Sequence, residues 1–144
     1  MDGTAAGAEA GALVARLLDT VNRHDLEGLT ACFAADYRNE TPAHPARGFE
    51  GRAQVRHNWE QVFAAVPDLS ADARWLANDG TAWSEWEMRG TRRDGQPHLL
   101  RGVVIFEVAD SEVTAARFYL EPVESGGPGI DGTIRRTLGL EVEP

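Results

Sequence analysis

The chain has 144 residues, 42% hydrophobic and 26% charged, with a formal net charge of −9. That length suits a single domain spanning 1–144 with its own core, and the acidic balance argues against nucleic acid or an anionic membrane as partner. No apolar run reaches the ~20 residues of a membrane span, and the four His and one Cys lack metal-ligand spacing, so no metal and no other cofactor is expected.

Residues 1–8, small and rich in Gly and Ala, read as a flexible leader, with no basic stretch of the kind a secretory signal carries. From Glu9 to Arg23, the spacing of Leu13, Val14, Leu17, Leu18 and Val21 predicts a helix with one apolar stripe. Asp25 is a natural N-cap for a second helix over 26–34, with Leu26, Leu29 and Phe33 on its buried side. Cys32 sits beside them as a small core residue. A lone thiol excludes an internal disulfide and suits a reducing cytoplasm. Residues 35–41 form a short strand candidate, and Pro42 and Pro45 enforce a loop to Phe49. A third helix, 51–65, places Val55, Trp59, Val62 and Phe63 on one face, and Pro67 stops it.

Four strands follow, at about 70–77, 81–92, 97–108 and 113–122, with turns at Asn78-Asp79-Gly80, Asp94-Gly95 and Asp110-Ser111. Ser125 to Gly129 is a linker, and 130–140 is a short helix or a segment lying over the body; 124–144 is thus linker and tail. Helices first and strands in a block predict an α+β fold. A curved antiparallel sheet wraps three N-terminal helices into a cone with an interior pocket.

Alternation along the strands sorts the candidate residues. Ala82, Ser84, Trp86, Met88, Val104, Phe106, Phe118 and Leu120 share one face, while Trp83, Glu85, Glu87, Arg89, Arg101, Glu107, Arg117, Tyr119 and Glu121 share the other. Burying unpaired charge is costly, so the apolar set is expected to line the cavity and the charged set the outer face. Glu85 and Glu87 there read as salt-bridged rather than catalytic. Trp86, Met88, Val104, Phe106 and Phe118, with Tyr37 and Trp59, are the expected substrate-binding residues. Chemistry falls to His44, an imidazole held between prolines, and to Glu40, which burial would turn into a base. His24, His57 and His98 sit at element ends and are expected to face solvent.

Two phrases carry a resemblance. Asn22-x-His24-Asp25-x-Glu27-x-Leu29, and Phe106-Glu107-Val108-Ala109-Asp110-Ser111-Glu112-Val113, resemble the nuclear-transport-factor-2-like superfamily and, within it, the SnoaL-like (polyketide cyclase-like) branch, over residues 9–123. The resemblance implies the cone fold, and a superfold that hosts isomerases, cyclases, epoxide hydrolases and binding proteins does not by itself fix a reaction. Positions where such enzymes keep acids here hold Val104, Thr41, Met88 and Phe118, Trp86 stands where some keep an Arg, and the first helix has no Tyr. The implied function is cyclisation or isomerisation of a polyketide-like, largely apolar molecule; the rival is a non-catalytic binding or chaperone-like module of the same fold. A homodimer through the outer sheet face is the expected assembly.

Overall fold

The computed structural model describes residues 2–140. Met1 of the expected leader and residues 141–144 of the expected tail lie outside them. The elements in order are α1 (Asp2–Arg23), α2 (Leu26–Ala31), β1 (Phe33–Glu40), a single 3₁₀ turn at Pro45–Arg47, β2 (Phe49–Glu50), α3 (Arg52–Ala65), β3 (Ser70–Asn78), β4 (Thr81–Thr91), β5 (Pro97–Ala109), β6 (Glu112–Pro122) and α4 (Ile130–Thr137). The six strands make one curved, unclosed sheet in the order β2-β1-β6-β5-β4-β3, with helices packed against it.

The hairpins follow from local chemistry. Asp79-Gly80 and Asp110-Ser111 are two-residue connections in which both residues take positive φ, the geometry whose twist matches the flanking strands. The longer β4–β5 link turns at Gly95, also at positive φ. Gly102 on β5 has φ +154°, and a Cβ there would lie 2.0 Å from the Tyr119 carbonyl oxygen. Only glycine lets β6 pair so closely at this point.

The helical layer is held by α1, whose buried stripe of Leu13, Val14, Leu17 and Val21 packs on β3, β4 and β5. The expected flexible leader is instead the start of this helix. Its Ala-rich composition favours helix, and Gly7 and Gly11 allow close approach to β3: a Cβ on them would sit 3.3 Å from Ala77 O and 3.4 Å from the Trp75 indole nitrogen.

The joint after α1 is built from the first recognised phrase. The Asn22 carboxamide donates to Ala71 O (3.0 Å) and accepts from Ala71 N–H (2.7 Å). Asp25 caps α2 by accepting from Gly28 N–H at 3.0 Å. His24 does not face solvent as expected. Its Nε2 lies 2.8 Å from Leu69 O and its ring stacks on Phe63, so it ties the joint to the turn before β3 and to α3.

Three further expectations change. Phe33 opens β1 rather than closing α2, since α2 ends at Ala31 with Cys32 as its C-cap. The sheet is not wholly antiparallel: β1 enters beside the start of β6 and pairs with it in parallel, Phe33 opposite Val113 and Arg38 opposite Ala115, with a register break between. The Pro-bounded loop contains the short strand β2, which pairs antiparallel with β1 through Asn39–Phe49 and Arg38–Glu50.

The outer face of β3–β6 carries continuous cross-strand rows. Leu76, Trp83, Ile105 and Arg117 form one, Arg74, Glu85, Val103 and Tyr119 the next, and Asp72, Glu87, Arg101 and Glu121 a third. Ion pairs knit it: Glu85 to Arg74, Glu87 to Arg89 and Arg101, and Glu107 to Arg117. Glu85 and Glu87 are thus the salt-bridged acids their position suggested. No helix of the described residues is long and apolar enough to cross a membrane.

Candidate functional site

The inward alternation on β4–β6 is as expected, but its result is a packed core more than a cavity. Trp86, Met88, Val104 and Phe106 are buried, and with Leu17, Val21, Phe33, Trp59 and Phe118 they enclose a void of only about 20 Å³. A space of that size holds about one water. Trp86 meets Phe106 edge-on and donates its indole N–H to Ser84 Oγ (2.8 Å), which in turn donates to Val104 O (2.6 Å). The polar atoms of this core are satisfied among themselves.

Open space begins above that floor. A cleft of about 280 Å³ lies between β1, the end of β6 and α3, lined by Phe33, Tyr37, Asn39, Thr41, Arg47, Phe49, Val55, Asn58, Trp59, Phe118 and Leu120. Its walls are largely aromatic, and Phe33, Trp59 and Phe118 are shared with the core below. Of the residues singled out in the sequence, Tyr37, Trp59 and Phe118 reach this cleft, whereas Trp86, Met88, Val104 and Phe106 support its floor from beneath.

Two carboxamides set its polarity. The buried Tyr37 hydroxyl donates to Asn39 Oδ1 at 2.7 Å. Burial pushes the Tyr37 phenol well above its ordinary pKa, so near neutral pH it stays a donor. Asn58 Oδ1 accepts from Gln54 Nε2 at 2.8 Å. Each carboxamide oxygen already accepts one bond, and the amide N–H groups of Asn39 and Asn58 are donors these side chains add to the lining, beside the Thr41 hydroxyl and the Arg47 guanidinium. No carboxylate and no imidazole is among the lining residues.

His44 and Glu40 are not brought into the cleft. Period-two alternation on β1 turns Tyr37 and Asn39 inward, with Thr41 buried just beyond the strand, and Arg38 and Glu40 outward; Glu40 lies 3.8 Å from Arg38 at the surface. His44 is turned by its N–H bond to Thr41 O (2.7 Å), and its Nε2 lies 3.3 Å from Glu121 Oε1. Arg47 approaches the other oxygen of Glu121 at 3.6 Å, so one outward-facing acid of β6 holds both ends of the loop. Asn39 and Thr41 were legible from Tyr37 by the same alternation; Asn58 shares the helical face of Val55 and Trp59. The buried Cys32 thiol, its pKa raised by desolvation, lies outside the cleft lining. Among the described residues no group of three His, Cys, Asp or Glu could hold a metal ion.

Residues 14–116 match the family model of the SnoaL-like domain. No curated protein matches the chain in sequence. Among solved structures it is similar to a provisionally assigned ketosteroid isomerase from Kribbella flavida, at 26% identity over 99% of this chain and 93% of that one, TM-score 0.67. It is also similar to a provisionally assigned polyketide cyclase from Xanthomonas campestris, at 21% identity over 78% and 92% respectively, TM-score 0.68. A Mycobacterium tuberculosis protein in complex with estradiol-17β-hemisuccinate shares the fold at 20% identity over 77% and 92%, TM-score 0.66.

Proposed function

The chain belongs to the SnoaL-like domain family, and on that premise we propose that it binds a small, largely apolar molecule bearing an acceptor oxygen in the cleft between β1, β6 and α3. One observation carries the reading: an aromatic wall faces two amides whose oxygens each already accept a bond within the protein, with no acid or imidazole among the lining residues. Aromatic faces supply contact area, and a few fixed donors supply orientation. Proton transfer needs a titratable group at the reacting atom, and this lining lacks one that titrates near neutral pH. The steroid ester held by the M. tuberculosis relative is a ligand of the same general kind, flat, apolar and oxygenated. Titration with a flat bicyclic ketone such as 1-tetralone, followed by tryptophan fluorescence and calorimetry, tests this. Saturable binding is expected, weakened at least tenfold by Trp59→Ala and by Asn39→Ala. Binding indifferent to both changes would refute the cleft as the site.

A second reading, cyclisation or isomerisation of a polyketide-like substrate, has one observation in its favour. The Tyr37–Asn39 pair presents a fixed donor toward the cleft, the arrangement that stabilises charge developing on a carbonyl oxygen. In that reading His44 leaves Glu121 to serve as the base, with Glu40 as its substitute. His44→Ala would then lower turnover far more than ligand affinity; equal activity of the variant would refute it. In both readings the outer sheet face, with Leu76, Trp83 and Tyr119 exposed, is the surface on which two copies meet.

A further inference from the structure

The exposed large hydrophobic side chains of the described residues fall into two patches. Leu76, Trp83 and Tyr119 lie on the outer sheet face, 81%, 57% and 43% exposed, with Leu76 and Trp83 directly paired across β3 and β4. The others are Ile130, Ile134, Leu138 and Leu140, on α4 and just beyond it. The spacing i, i+4, i+8 puts Ile130, Ile134 and Leu138 on one stripe. An eight-residue helix is too short to persist in water without a surface to lie on, and no element of the body packs along α4.

We propose that α4 docks on the outer sheet face of a second copy of this chain, its Ile130–Ile134–Leu138 stripe over Leu76 and Trp83, and reciprocally. The inference rests on the outer face being where two copies meet, and adds the element that completes the contact. Area is the first argument. A stable interface buries about 1,200–2,000 Å² in total, and two reciprocal helices would add their apolar stripes to what the sheet face supplies. Charge is the second. α4 carries Arg135 and Arg136 in its last turn against a single Asp131, inside a chain of net charge −9. The two sheet rows beside the patch present Glu85, Asp72, Glu87 and Glu121 against Arg74 and Arg101, so acids outnumber bases there. The third argument is placement. α4 leaves the end of β6 through the Gly- and Pro-rich segment 123–129 and stands clear of its own outer face, so its stripe is available to a neighbour. Reciprocal exchange between identical chains closes as a two-fold dimer rather than a filament.

Sedimentation velocity of the full chain, of a chain truncated after Glu124, and of Ile134→Glu/Leu138→Glu tests the proposal. The full chain should be dimeric at micromolar concentration, and both variants should need about tenfold more protein to associate, with thermal midpoints showing the body still folded. A second measurement mixes chains carrying Leu76→Cys with chains carrying Leu138→Cys under mild oxidation; the only native thiol, Cys32, is buried. A covalent mixed dimer is the expected product. A truncated chain that dimerises as tightly as the full one overturns the role of α4 and leaves the sheet-face reading standing. A monomeric full chain overturns both. A Leu76→Cys/Leu138→Cys chain that closes on itself, with no mixed product, means α4 folds onto its own sheet, and the proposal fails.

Discussion

Trp86→Ala separates a floor that supports the cleft from a wall that touches ligand. The indole is 3% exposed, packed edge-on against Phe106 and bonded through its N–H to Ser84. Replacing a buried Trp by Ala costs about 3–5 kcal/mol, because the surrounding side chains collapse only in part. Ser84 keeps its bond to Val104 and loses only an incoming donor, so the hydrogen-bond contribution is small beside the packing loss. For a chain of this length the thermal midpoint should fall by roughly 10–15 °C. Calorimetry gives that figure, and titration with 1-tetralone below the transition gives the affinity of the folded fraction. Affinity should change little, since Trp59 and Phe118, not Trp86, face the open cleft. A midpoint within about 2 °C of the parent, together with lost binding, would refute the reasoning and make Trp86 a ligand contact.

Gly102→Ala should be the most damaging small substitution on the sheet. Its Cβ would stand 2.0 Å from Tyr119 O and 2.7 Å from Leu120 Cα, both backbone atoms that cannot rotate away. The cost is expected to reach about 3 kcal/mol or more, read as a lower urea midpoint, and an unchanged midpoint would show that β5 and β6 separate easily there. Asp68 gives a pH test: the Thr91 backbone N–H bonded to its carboxylate holds its pKa below the ordinary aspartate value. A depressed folded pKa contributes stability above the unfolded pKa and loses it as pH falls through the folded one. The stability gap between the parent and Asp68→Asn should therefore be full at neutral pH and close in acid, as urea midpoints against pH would report; a gap that widens in acid would refute the assignment.

Much of the frame was legible because its signals are local. Period-two alternation on β4–β6 gave the inward set of Trp86, Met88, Val104 and Phe106, and Asp79-Gly80 and Asp110-Ser111 marked the tight turns that place them. What alternation cannot give is how far opposing side chains interpenetrate, and the expected apolar cavity proved to be a filled floor. The parallel β1–β6 pairing was missed because it depends on where α2 delivers the chain, a matter of tertiary placement. His44 and Glu40 drew attention by residue type and by the prolines around one of them. Parity on β1 pointed instead to Asn39, since Tyr37 and Glu40 lie three residues apart and must face opposite sides. Asn58 gave no such signal, because a polar residue near the rim of a helix face looks like any solvated one.

An unclosed sheet has two edges, and this one guards them unequally. β2 is two residues long, which leaves little backbone for another strand to join. β3 is nine residues long and forms the other margin; the Asn22 carboxamide occupies the N–H and C=O of Ala71, and the outer backbone groups beyond it are a template for unwanted chain-to-chain zippering. Asp72 and Arg74 put opposite charges on that strand, and a stranger's strand joining there would have to answer both. Leu76, one step further along, has no such guard. Propensity to aggregate should therefore concentrate at the Leu76 end of β3, at the margin of the face where a second copy is proposed to sit. In a dimeric chain, occupancy of that face would also act as protection against fibre formation.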